Sequence, residues 1–164
     1  MFLILAASLT FAAAPAEILD MVSTLRGWQV EGPSTEGLTG SRAIPLTKGD
    51  GLSVPELRDL SLTVGRARFR KADRIRVTEA SLPDSALAEG LFLHWQREVL
   101  EDAEASFSQR VDSDPSFWRI RYTEDGERRM VLVRLLDTSV TRVDLYSCPT
   151  RVEDAVLDIL VSPK

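Results

Sequence analysis

The sequence predicts an α+β fold: an antiparallel sheet covered by a long central helix and a C-terminal helix. Three observations carry this. Residues 117–145 read as three strands joined by tight turns, residues 82–111 hold one long amphipathic stretch, and residues 150–160 hold a second. Short alternating segments at close spacing favour antiparallel pairing, and amphipathic helices set apart from them cover the sheet.

In the first of the three strands, Trp118, Ile120 and Tyr122 share one face, and Arg119 and Arg121 the other. Asp125-Gly126 follows, the pair a type I′ hairpin asks for because both central positions need positive φ. The return strand puts Val131, Val133 and Leu135 on one face and Met130, Leu132 and Leu136 on the other. Apolar residues on both faces predict a central strand covered on both sides. A turn at 137–139 leads to a third strand carrying Val143 and Leu145. Thr150 and Glu153 then have the spacing of a capping box, and Val152, Ala155, Val156, Ile159 and Leu160 recur at helical spacing.

The central helix is expected over residues 82–111, with Asp84 or Ser85 as its cap. Leu87, Ala88, Leu91, Phe92, Trp95, Val99 and Ala103 make its apolar stripe, and Glu98, Glu101, Asp102 and Glu104 its wet side. Residues 112–115 break it. Before it stand two further strands. Leu60, Leu62 and Val64 face the core, Gly65 permits a bulge, and Ala67 and Phe69 then take the inward phase. After a turn near 71–73, Ile75 and Val77 point inward.

The front is less regular. Ile18, Met21, Val22 and Leu25 predict a short helix stopped by Gly27, and Trp28 and Val30 a short strand. Residues 32–55 are punctuated by glycine and proline and read as a long binding loop or excursion. Within it, residues 43–46 suit an edge strand and residues 53–56 a helix start.

With 164 residues, 44% hydrophobic and 27% charged, the chain suits one ordinary globular domain. A net charge of −5 gives no general reason to expect nucleic-acid binding. Residues 2–14 form an uncharged apolar run ending in Ala14-Pro15-Ala16, the small-x-small pattern of an export signal. Residues 1–16 are therefore expected to be removed and residues 17–164 to form a single exported domain, periplasmic or secreted, that does not span a membrane.

The residues that carry chemistry are few. His94 is the only histidine, placed for an (i, i+4) pair with Glu98, and Cys148 is the only cysteine. No His/Cys cluster predicts a metal or cofactor. The order His94, Cys148, Arg151 is similar to that of the sortases, which defines one alternative, a thiol peptidase or transpeptidase using Cys148 and His94. The main reading centres on a basic hairpin of Arg66, Arg68, Arg70, Lys71, Arg74 and Arg76. Strand alternation pairs Arg66 with Arg68 and Arg74 with Arg76, a surface for an anionic partner such as an envelope protein or an anionic surface.

The order of elements resembles the PsbP-like α/β/α sandwich family. The resemblance is carried by Trp118-Arg119-Ile120-Arg121-Tyr122, Met130-Val131-Leu132-Val133, Val143-Asp144-Leu145-Tyr146 and Val156-Leu157-Asp158-Ile159-Leu160. It implies a non-catalytic accessory or binding protein, and no functional residue transfers with it.

Overall fold

The computed structural model describes residues 14–38, 60–103, 109–111 and 115–161. Two antiparallel meanders are zipped along one seam. The first comprises β1 (Trp28–Leu38), β2 (Leu60–Phe69) and β3 (Ala72–Ser81). The second comprises β4 (Gln109–Val111), β5 (Phe117–Glu124), β6 (Glu127–Leu136) and β7 (Ser139–Tyr146). The strand order β1-β2-β3-β7-β6-β5-β4 joins them where β3 pairs antiparallel with β7, from Ile75 opposite Leu145 to Ser81 opposite Ser139.

Among the described residues, three helices cover the sheet: α1 (Ala14–Ser23), α2 (Ser85–Ala103) and α3 (Thr150–Val161). The fold is thus α+β, with the expected central and C-terminal helices. Strand alternation divides the core in two. On one face, Leu91, Phe92, Trp95 and Val99 of α2 pack on Trp118, Ile120, Val131, Val133 and Val140. On the other, α1 buries Ile18, Leu19 and Val22 against Trp28, Ala67, Ile75 and Val77, while α3 buries Val152, Val156 and Leu160 among Phe117, Met130, Leu132 and Leu145.

Most expected elements are present. Asp125 and Gly126 both have positive φ, at 51° and 79°, so the hairpin turn forms as its composition requires. Asp84 caps α2, its Oδ1 accepting from the Leu87 N–H at 2.8 Å. The apolar stripe of α3 faces the sheet, and β6 is central and buried on both sides.

Several details depart from the reading of the sequence. Gly65 makes no bulge in β2, which pairs with β3 through it, Gly65 lying opposite Val77; the irregularity at this level is in β1, where the register shifts between Glu31 and Ser34. The shift of phase from Leu62 and Val64 to Ala67 arises because β2 is covered by different elements on its two faces. Gly65 instead gives α1 room, since a Cβ there would lie 2.5 Å from Leu19 Cδ1. The register slips further on, between Ala67 and Arg68, leaving Arg74 without a residue opposite.

β1 is longer than expected and runs to Leu38, so residues 32–38 are strand rather than loop. Gly32 and the cis-linked Pro33 sit at a register shift between Glu31 and Ser34. Gly32 has φ +90°, and a Cβ there would meet Val64 O at 2.8 Å. Pro33 is tolerated because β1 is an edge strand with one unpaired side. The expected strand at 43–46 and helix start at 53–56 lie outside the described residues. At the other edge, residues 109–111, read as the tail of the long helix, are the short strand β4 paired with β5.

Glu153 does not close a capping box. Its carboxylate is buried and pairs with Arg128 of β6 at 3.0 Å and Arg121 of β5 at 3.7 Å, pinning α3 to the sheet. The N–H groups of Val152 and Glu153 donate to Pro149 O, so the helix starts one residue earlier than a Thr150 cap requires.

Candidate functional site

The two faces of the two sheet halves make four quadrants, and among the described residues helices fully cover three. α3 and α2 sandwich β5–β7, whereas β1–β3 carry α1 on one face and on the other meet α2 only at one end, where Leu62, Val64 and Ala80 join its core. The α2-side face of β2 and β3 is where the basic hairpin lies.

The six cations of that hairpin do not act together. Arg70 and Lys71 form the turn, both at positive φ (51° and 68°), and Arg70 lies over the Phe69 ring at 5.2 Å. Arg74, displaced by the register slip, donates to Tyr146 O at 3.3 Å. Arg68 pairs with Asp73 at 2.6 Å and with Glu31 at 3.7 Å. The expected pairing of Arg74 with Arg76 on one face is therefore replaced by a different pair. Arg66 stands directly opposite Arg76 across β2 and β3.

Like charges in directly opposed positions repel, so this arrangement needs compensation. The natural compensators stand alongside. Glu31 is opposite Arg66 on β1, and Asp144 is opposite Arg76 on β7. Both are drawn elsewhere. Glu31 leans to Arg68, and Asp144 accepts three hydrogen bonds from Arg142 at 2.9–3.2 Å. Arg142 in turn reaches Glu98 of α2 at 3.0 Å. Burial opposes the Arg142 charge, but Asp144 and Glu98 more than offset it, and its pKa is raised. Among the described residues, no carboxylate pairs with Arg66 or Arg76.

These two arginines border a pair of adjoining clefts. One, of about 320 Å³, is lined by Arg66, Asp73, Arg76 and Tyr146. The other, of about 310 Å³, runs from Arg76 and Tyr146 past Thr78 and Arg142 to Leu62, His94 and Trp95. Each falls at the lower end of the range for small-molecule sites. Tyr146 is common to both, and its ring is backed by the Arg129 guanidinium at 4.7 Å. Burial, followed by the Asp144 charge, pushes the Tyr146 phenol above its ordinary value, so the phenol keeps its proton as a hydrogen-bond donor near neutral pH.

His94 sits on the α2 wall of this cleft. Burial lowers its pKa despite Glu98, so the imidazole is neutral near pH 7. The expected His94–Glu98 partnership gives way to Glu98–Arg142. Cys148 lies on the opposite face, in the core beneath α3, 1% exposed. Its Sγ donates to Arg74 O at 3.2 Å, and burial pushes the thiol up to about 12. The sheet thus separates the only cysteine from the only histidine, and the thiol–imidazole alternative has no common site.

Among the described residues no helix is long and apolar enough to cross a membrane, and no group of three or more His, Cys, Asp or Glu is placed to hold a metal ion. Comparison with known proteins adds nothing to this geometry: no family model, no curated protein and no solved structure matches the chain.

The clustering of arginines at 66–76 was visible in the sequence. The contributions of Arg142, Asp144 and Tyr146 were not, because their relation to the hairpin exists only once β7 pairs with β3. One faint signal was available: Arg142, Asp144 and Tyr146 alternate on a single strand face, an unusual density of polar groups for a strand in mid-sheet.

Proposed function

We propose that this protein is an exported, non-catalytic accessory or binding module that takes a carboxylate or phosphate group between Arg66 and Arg76. The observation that carries the reading is the pair itself: two opposed guanidinium groups whose cross-strand carboxylates are engaged by other arginines. An anion between them relieves their repulsion and gains charge-assisted hydrogen bonds, for which arginine is well suited. The concave setting favours a small ligand over a broad anionic surface, since the arginines border clefts.

Export is supported by the apolar run of residues 2–14 and the Ala14-Pro15-Ala16 pattern. The PsbP-like resemblance accords with a binding role and supplies no site residue.

Titration of the full chain with inorganic phosphate, followed by amide chemical shifts, tests the site. Phosphate is expected to move the resonances of residues 66, 76 and 146 with roughly millimolar affinity, weakening as salt is raised. Arg66→Gln/Arg76→Gln is expected to abolish the response. Equal binding by that variant would overturn the proposal.

A further inference from the structure

The two clefts meet at Arg76 and Tyr146, and their far ends differ in character. Arg66 and Arg76 stand at one end. At the other, the largely buried Leu62 and Trp95 (9% and 6% exposed) contribute edges to the cleft wall beside Thr78 and His94. Among the described residues, three carboxylates line the clefts: Asp73, beside Arg66 and Arg76, is held by Arg68, and Asp144 and Glu98 by Arg142, so the passage carries little uncompensated negative charge. His94 beside it is neutral. A charged end, an aromatic ring and an apolar end follow one another along a single groove.

From this sequence of surfaces we infer that the ligand is a small amphiphilic anion. Its carboxylate or phosphate-monoester head lies between Arg66 and Arg76, and its apolar body passes the Tyr146 ring toward Leu62 and Trp95. The inference rests on the anion site proposed above and adds to it a direction and a chemical class. A simple inorganic anion satisfies the arginines but leaves the second cleft unused. An elongated apolar tail fills the second cleft and removes water from the edges that Leu62 and Trp95 expose there.

Calorimetric titration of the full chain with acetate, butyrate, hexanoate and octanoate at constant ionic strength provides the test. Parallel titrations with inorganic phosphate, butyl phosphate and hexyl phosphate identify the preferred head. Affinity is expected to rise roughly two- to fourfold per added methylene, the increment for burying such a group wholly or in part. Arg66→Gln/Arg76→Gln is expected to lose the whole series. In amide and indole spectra, acetate should perturb residues 66 and 76, and octanoate should in addition move the Trp95 indole N–H.

The two proposals fail differently. If acetate and phosphate bind through the arginines but chain length changes nothing and the Trp95 indole stays still, the amphiphile inference falls and the anion site stands. If neither inorganic phosphate nor any carboxylate binds, both fall. If the double variant keeps the length series unchanged, the head has been placed wrongly and the inference is overturned.

Discussion

Strands β5–β7 and strands β1–β3 are built from the same antiparallel ladders, yet they spend their side chains differently. In β6, Met130, Leu132, Val131 and Val133 are buried on opposite faces, because α3 lies over one and α2 over the other. In β2 and β3, Ala67, Ile75 and Val77 are buried under α1, while the reverse face buries Leu62, Val64 and Ala80 at its α2 end and presents Arg66 and Arg76 beyond it. Where helices cover both faces, alternation gives way to continuous apolar sequence. Where, among the described residues, no helix lies over Arg66 and Arg76, the same pleat presents charge. The difference places the doubly covered core in the second meander and the proposed anion site in the first.

Substitutions should expose this contrast. Leu132→Ala, at a site with no exposure, is expected to cost about 2–5 kcal/mol in urea unfolding. Arg76→Ala, on the open face, should stay within about 0.5 kcal/mol. Comparable losses at the two positions would break the comparison.

Arg142 lies on the boundary between the halves and serves both. Arg142→Gln leaves two carboxylates without their partner, one of them the buried Asp144, and is expected to cost about 2–4 kcal/mol. It also releases Asp144 to pair with Arg76 across the seam. Phosphate affinity should therefore fall although Arg66 and Arg76 are intact, and adding Asp144→Asn should restore it. Restoration separates a positioning role from general damage to the fold.

Alkaline pH probes the covered side. The Cys148 thiol titrates near 9.0 when unfolded and at about 12 when folded. Below pH 9 both states hold the proton and the full stabilisation is present. As pH rises from 9 toward 12 the unfolded chain releases its proton first, so stability falls, by up to about 1.4 kcal/mol per pH unit. Tyr122 and Tyr146, whose pKa values burial also raises, act in the same direction. Cys148→Ala should remove the cysteine share of the slope in pH-dependent unfolding midpoints. A slope identical in both proteins would contradict the buried thiol.

The smallest expected effect is in the turn between β2 and β3. Arg70 and Lys71 both adopt positive φ, which costs L residues energy that glycine does not lose. Lys71→Gly should stabilise by about 0.5–1 kcal/mol net of its unfolded-state entropy and leave phosphate binding unchanged. A loss of stability would mean that the lysine side chain makes a contribution outweighing its backbone strain.

Much of the architecture could be read directly because it is locally determined. Asp125-Gly126 specifies its turn whatever surrounds it, and the stripe of α3 needs only a surface to pack on. The misreadings all required knowledge of a second element. A phase change at Gly65 looks the same whether a strand bulges or merely has different neighbours on its two faces. Glu153 has capping-box spacing, but Arg121 and Arg128 on β5 and β6 offer its carboxylate stronger partners. The run of arginines at 66–76 was legible as charge. Which of them stays available depends on Glu31, Asp73, Arg142 and Asp144, and thus on pairings that no local pattern encodes.

The seam between β3 and β7 has a kinetic consequence. The β2–β3, β5–β6 and β6–β7 hairpins each close a two-residue turn, whereas the seam unites residues 75–81 with residues 139–145 across the whole of α2. Closing so long a loop costs more chain entropy before any contact returns it, so the seam is expected to form after the hairpins and to remain weak at the transition state. Val77→Ala, whose cross-strand neighbours are Val143 across the seam and the side-chain-free Gly65, should then chiefly accelerate unfolding, while Ile120→Ala in the β5–β6 hairpin should chiefly slow folding, a contrast that paired chevron plots would resolve. The joint that creates the proposed binding groove would thus be among the last contacts made, and the groove itself a late product of folding.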